Sequence, residues 1–154
     1  WAGSLSATDY ERLVAPWARR ILRSVTRAGA PVIHFAAVGA NLVEALAVDA
    51  DVVSIDSAQS LAAARGRVDG RPVQGNLDPA RLGAGWDVVQ EGVAAVLDAN
   101  DGRAGHIFNT GHAIPRDTDP MRLRDIVRLV HDRTAGVGDR ARRRAHEPTT
   151  GVPT

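Results

Sequence analysis

The chain has 154 residues, 44% of them apolar and 24% charged, which suits one ordinary domain with a real core and excludes disorder for the bulk of it. With no Cys, a disulfide framework, a thiolate zinc site, an iron–sulfur cluster and a Cys nucleophile are all excluded. The net charge is +1 and all 19 basic residues are Arg, so nothing global draws the chain to nucleic acid or an anionic membrane, and lysine chemistry is absent.

Apolar runs such as 31–37 fall far short of the roughly 20 residues that span a bilayer. No charged segment followed by an apolar one opens the chain, so neither a membrane span nor a preprotein is expected. The chain opens on Trp1 rather than Met, which reads as processing or truncation.

The first element is a helix beginning at Thr8, where Thr8-x-x-Glu11 fits a capping box. Leu13, Trp17, Ile21 and Val25 then recur as one apolar face, Pro16 divides the helix in two, and Gly29 closes it. Residues 31–37 form a short run rich in β-formers, expected to be a strand buried on both faces. After Gly39, residues 41–48 read as a short helix with Leu42, Val43 and Leu46 facing inward, and 51–56 as a second strand.

Residues 57–67 read as a helix, 71–75 as a brief strand, and 87–99 as a helix burying Val88, Val89, Val93, Val96 and Leu97. A fourth strand is expected at 105–109. Asp119 is then a natural N-cap with Pro120 at the first helical position, followed by a stripe of Leu123, Ile126, Val127 and Val130. From Gly136 the chain is polar and Arg-rich, which suggests a disordered tail over 136–154.

Strand and helix alternating at short intervals call for parallel strands with crossover helices, in a doubly wound sheet or a barrel. The polar residues decide between them, because they gather at the C-terminal ends of the strands: Asp56, then Gln74-Gly75-Asn76, then Asn109-x-Gly111-His112. Barrel enzymes carry their chemistry at that face. A closed barrel needs eight strands, typically within about 250 residues, so four units over residues 1–135 amount to the C-terminal half of a TIM-like (β/α)8 barrel in an α/β fold.

Four segments sharpen this reading: Trp1-Ala-Gly-Ser-Leu5, Pro31-Val-Ile-His-Phe35, Gln74-Gly-Asn-Leu-Asp-Pro79 and Gly105-His-Ile-Phe-Asn-Thr-Gly-His112. Together they resemble the C-terminal half of the uroporphyrinogen decarboxylase family, over about residues 1–133. The resemblance implies a cofactor-free cytoplasmic carboxy-lyase of haem and tetrapyrrole biosynthesis, a homodimer when full length. Such an enzyme converts the four acetates of uroporphyrinogen III to methyls and yields coproporphyrinogen III. Thr110 stands where the family has Leu, Ala113 where it has Gly, and Ser57 where a Trp is usual. The family's Arg-rich segment and central Asp have no counterpart here, so the resemblance implies that the fragment alone is inactive.

Of the site groups, His112 is the one this chain is expected to contribute, as a substrate-binding residue; no catalytic residue is assigned, and no metal or cofactor is expected. His34 and His106 lie within apolar strands, where a hydrogen-bonded core histidine is the ordinary outcome. Asn76 and Asp78 suit loop shaping better than substrate contact, and Asp56 suits loop anchoring. Gly83-x-Gly85 lacks the pattern of a dinucleotide fold, and Arg140, Arg142, Arg143 and Arg144 suit a solvated tail better than a nucleic-acid site. Two other readings stay open: a cobamide-linked methyltransferase of the same barrel type, weakened by the missing Cys, and a non-catalytic half-barrel that pairs with another chain.

Overall fold

The structure, a computed structural model, describes residues 2–37 and 42–136. Trp1, Gly39, Asn41 and the Arg-rich segment with Arg140 and Arg142 to Arg144 lie outside the described residues. Four strands form one parallel sheet in chain order: β1 (Ile33–Phe35), β2 (Val52–Ser54), β3 (Val73–Gln74) and β4 (His106–Ile107). The helices between and around them are α1 (Ala7–Leu13), α2 (Ala15–Thr26), α3 (Val43–Ala47), α4 (Leu61–Arg65), α5 (Trp86–Asn100) and α6 (Pro120–Thr134).

Pairing in register aligns Phe35 with Ser54, Ser54 with Gln74, and Gln74 with Ile107, so these four side chains share one face of the sheet. The opposite face carries His34, Val53, Val73 and His106, and it is the helix-covered one. There Val53 and Val73 are completely buried against a core that includes Leu46, Leu61, Val89 and Val93, and the His34 ring reaches the Leu46 carbonyl of α3. The other face is left open, with Ile33, Phe35 and Ile107 all exposed. Helices on one face only are the arrangement of a barrel wall, whereas a doubly wound sheet is covered on both.

The openness corrects one expectation: the strand within 31–37 is not buried on both faces, because only its helix side is covered among the described residues. A second correction concerns the first helix. Ser6, not Thr8, is the cap: its Oγ accepts from the Asp9 amide at 3.0 Å and donates to the Asp9 carboxylate at 2.9 Å. The break falls at Val14, just ahead of Pro16 in the first turn of α2. The apolar face of Leu13, Trp17, Ile21 and Val25 does form, yet it faces outward; α2 buries Ala15 and Leu22 instead.

Later elements follow the pattern more closely. Leu42, Val43 and Leu46 are buried, and α5 buries Val89, Val93 and Val96, while Val88 and Leu97 are only partly covered. In α6 Ile126 is buried, but Val127 points to solvent and Leu129 packs in its place. Asp119 caps α6 through a 2.8 Å bond from the Met121 amide. Asp119→Ala should therefore cost about 1 kcal/mol, read as a lower midpoint in urea with an unchanged slope.

Candidate functional site

The site begins where β4 ends. Beyond it the ladder continues irregularly: the Leu77 amide donates to Asn109 O at 2.9 Å and the Gly111 amide returns to Leu77 O at 2.8 Å. The turn is then tied by side chains. The Asn109 carboxamide oxygen accepts from the Thr110 amide at 2.8 Å, and the Thr110 hydroxyl donates to the His112 carbonyl at 2.9 Å. Gly111 packs so tightly on Ser57 that a Cβ there would overlap the Ser57 backbone. These constraints set His112 at the rim of a cleft of about 200 Å³, lined by Phe35, Ser54, Gln74, Asn109, Thr110 and His112.

The cleft lies at the C-terminal ends of the strands on the open face of the sheet. The rings of Phe35 and His112 meet edge to face, 6.4 Å between centroids and 77° between planes. The Gln74 carboxamide donates to the Ser54 hydroxyl at 3.2 Å, which holds a polar pair between the apolar Phe35 and Ile107. One wall thus offers an aromatic face, a carboxamide, a hydroxyl and an imidazole to a single ligand.

The other polar residues of these loops shape the backbone. Asp56 is buried and accepts from the Ala58 amide at 2.8 Å, while Asn76 donates to the carbonyls of Asp56 and Gln59 at 3.1 and 2.7 Å. Asp78 caps a short 3-10 helix at Pro79–Gly83. Gly75, at φ 127°, is where a Cβ would come within 2.7 Å of the Ile55 carbonyl oxygen, so the loop needs glycine for both conformation and space. Asp56, Asn76 and Asp78 therefore have the loop-shaping roles expected of them.

His34 and His106 are satisfied by backbone. Since a carbonyl can only accept, His34 Nδ1 donates to Leu46 O at 3.0 Å and His106 Nε2 donates to Gly75 O at 2.7 Å. Burial pushes the His106 imidazole below its ordinary value; the bond to Gly75 works against that fall, and the Arg65 charge adds to it. The unfolded chain, with His near 6.5, then takes up the proton first, so stability is lost as pH falls from about 6.5 through the lower folded value. Thermal midpoints between about pH 7.5 and 5.5 should fall for the native chain and fall less steeply for His106→Asn. Equal slopes would mean that His106 does not carry this pH dependence. Among the described residues, no three His, Asp or Glu side chains come together as a metal-ligand group.

Position in the sequence places His112 and Gln74 near the strand ends but does not single out Phe35 and Ser54 as cleft residues. Alternation along Ile33–Phe35 and Val52–Ser54 is the signal that could have found them, once pairing set which side faces the opening. Larger surface grooves exist elsewhere, one of about 430 Å³ lined by Arg23, Arg27, Asp49, Asp51 and Arg71 at the N-terminal ends of the strands. It is the wrong end for the chemistry of a barrel, and its guanidinium groups are partly engaged, Arg23 with Asp49 and Arg71 with the Ala50 carbonyl.

The family model described as uroporphyrinogen decarboxylase matches residues 1–133. The chain belongs to the uroporphyrinogen decarboxylase family. A relative named uroporphyrinogen decarboxylase from Arthrobacter sp. is 44% identical over 133 residues, 85% of this chain and 39% of its own length. That from Mycolicibacterium smegmatis is 46% identical over 144 residues, 85% of this chain and 40% of its own. That from Thermus thermophilus is 41% identical over 133 residues, covering 86% of this chain and 39% of its own length. The chain thus spans about two-fifths of the curated uroporphyrinogen decarboxylases it matches. Among the described residues, no helix is long and apolar enough to cross a membrane.

Proposed function

We propose that this chain supplies the His112-bearing wall of a decarboxylase site acting on uroporphyrinogen III, a tetrapyrrole with eight carboxylates, to give coproporphyrinogen III. The observation that carries the reading is the cleft at the C-terminal ends of the strands, where His112, Gln74 and Phe35 line one opening. Phe35 suits the edge or face of a pyrrole, and an imidazole N–H donates to a carboxylate.

The chemistry explains why such a wall is only part of a site. Breaking the bond between a pyrrole acetate's methylene and its carboxylate leaves an electron pair on carbon. Prior protonation of the ring lets that pair collapse into the ring as carbon dioxide departs. A second proton then turns the exocyclic methylene into the methyl group while the ring releases the first, so each acetate takes up one proton net and releases one carbon dioxide. A site must therefore supply an anion for the cationic pyrrole, cations for the remaining carboxylates, and a proton source. His112 is our substrate-holding group, and the central carboxylate and most of the cations come from the part of the protein outside this chain. No metal or cofactor is required in this scheme. The complete protein is cytoplasmic and works as a homodimer in this reading.

The test is a chimera in which this chain replaces the matched stretch of the Arthrobacter relative, assayed anaerobically beside the chain alone. Coproporphyrinogen from the chimera and none from the isolated chain is expected. An inactive but folded chimera would remove the reading, and turnover by the chain alone would show that the site is complete without further residues. A thiol-methylating enzyme on the same barrel is disfavoured by the absence of Cys from the sequence.

A further inference from the structure

One hydroxyl in the cleft has a proton with no protein group to receive it. Ser54 lies in the row of Phe35, Ser54, Gln74 and Ile107 on the open face of the sheet, and it is only 4% exposed. Its Oγ accepts from the Gln74 carboxamide at 3.2 Å. A serine hydroxyl has two lone pairs and one proton, so this bond uses a lone pair and leaves the O–H to be placed. Among the described residues, nothing accepts it. The Phe35 side chain next to it has no acceptor, and the amide nitrogen that Gln74 turns toward it cannot accept either. Ser54 lines the same cleft as His112. Buried donors are ordinarily satisfied, so an unused one lining a cleft marks a place for an acceptor on the ligand.

We infer that Ser54 is a further substrate-binding residue, whose hydroxyl donates to a propionate carboxylate of the tetrapyrrole, and that Gln74 is the positioning residue that turns the hydroxyl that way. The inference rests on the decarboxylase reading of this cleft. Each pyrrole of uroporphyrinogen carries one acetate and one propionate, and the chemistry chooses between them. A carboxylate leaving as neutral carbon dioxide gives up its charge in the transition state. A hydrogen bond to it is therefore stronger before the reaction than during it, and it would slow the step. A propionate keeps its charge through all four reactions, so a bond to it holds substrate, intermediates and product alike.

The test is Ser54→Ala in the chimera with the Arthrobacter relative, read as KM and kcat for uroporphyrinogen III and as Kd for coproporphyrinogen III, which keeps the propionates and reacts no further. KM and Kd should both rise by a factor of about 10 to 150, the range for one hydrogen bond to a charged group, with kcat changed less than about twofold. Gln74→Glu sets an acceptor against the hydroxyl and an anion beside the ligand, so it should raise Kd further than Ser54→Ala does. An unchanged Kd in Ser54→Ala would overturn the inference. A raised kcat would place the reacting acetate at Ser54 and overturn the assignment to a propionate. Native-like binding by Gln74→Glu would make the bond between Ser54 and Gln74 purely structural. A chimera that binds coproporphyrinogen without turning over would remove the decarboxylase reading and leave Kd to decide Ser54, whereas an active chimera indifferent to Ser54→Ala would remove this inference alone. A chimera that binds no tetrapyrrole would overturn both.

Discussion

His112→Asn in the chimera carrying this chain should lower kcat/KM for uroporphyrinogen by a factor of about 10 to 150 without abolishing turnover. The size follows from the loss of one charge-assisted hydrogen bond to a substrate carboxylate, about 1.5–3 kcal/mol. The shorter Asn side chain does not reach as far as the imidazole. The turn is tied through the His112 backbone carbonyl and the Asn109 carboxamide, neither of which the substitution touches, so it should stay intact and the thermal midpoint should barely move. Partly decarboxylated intermediates should accumulate, because a substrate held less firmly leaves more often between its four successive reactions. Wild-type rates on all four acetates would remove His112 from the site, and an unfolded variant would make it a structural residue.

Gly111→Ala should produce the largest structural effect of any single methyl group at the cleft. The added Cβ would meet the backbone nitrogen, Cα and Cβ of Ser57 together, and no flexible side chain is there to yield. Overpacking of this kind costs about 1–3 kcal/mol and is relieved only by moving the turn. The thermal midpoint should fall by roughly 2–4 °C for each kcal/mol in a chain of this length, and by less in the longer chimera. Activity should drop at least as far as with His112→Asn, since His112 shifts with the turn. Gly83→Ala is the control: nothing lies within 4 Å of its Cβ, and the midpoint should change little. Equal behaviour of the two variants would mean that the Gly111 contact is not tight.

Much of the architecture is legible because it is written locally. Asp119 followed by Pro120 is a helix start in any context, and it starts α6. The cap of α1 is ambiguous because Ser6-x-x-Asp9 and Thr8-x-x-Glu11 both fit, two residues apart, and only the backbone chooses the first over the second. The periodicity of Leu13, Trp17, Ile21 and Val25 marks a helix face correctly, but burial does not follow from it, since burial depends on what lies across from that face.

The site divides along the same line. His112, Gln74 and the loop roles of Asn76 and Asp78 follow from position at strand ends. The layer of Phe35, Ser54, Gln74 and Ile107 follows from register, which is set by crossovers across about 70 residues and by no local pattern. The Thr110 hydroxyl, at a position where the family resemblance has Leu, closes the turn onto the His112 carbonyl, and no spacing rule points to that.

The measurement that bears most directly on the central claim is an anaerobic crystal structure of the chimera with coproporphyrinogen III bound. A carboxylate of the tetrapyrrole within hydrogen-bond distance of the His112 ring, with a pyrrole against Phe35 in the cleft shared with Gln74 and Ser54, is the expected result. A tetrapyrrole seated in the groove of Arg23, Arg27 and Arg71 at the opposite ends of the strands, or one in the barrel that leaves His112 untouched, would contradict it.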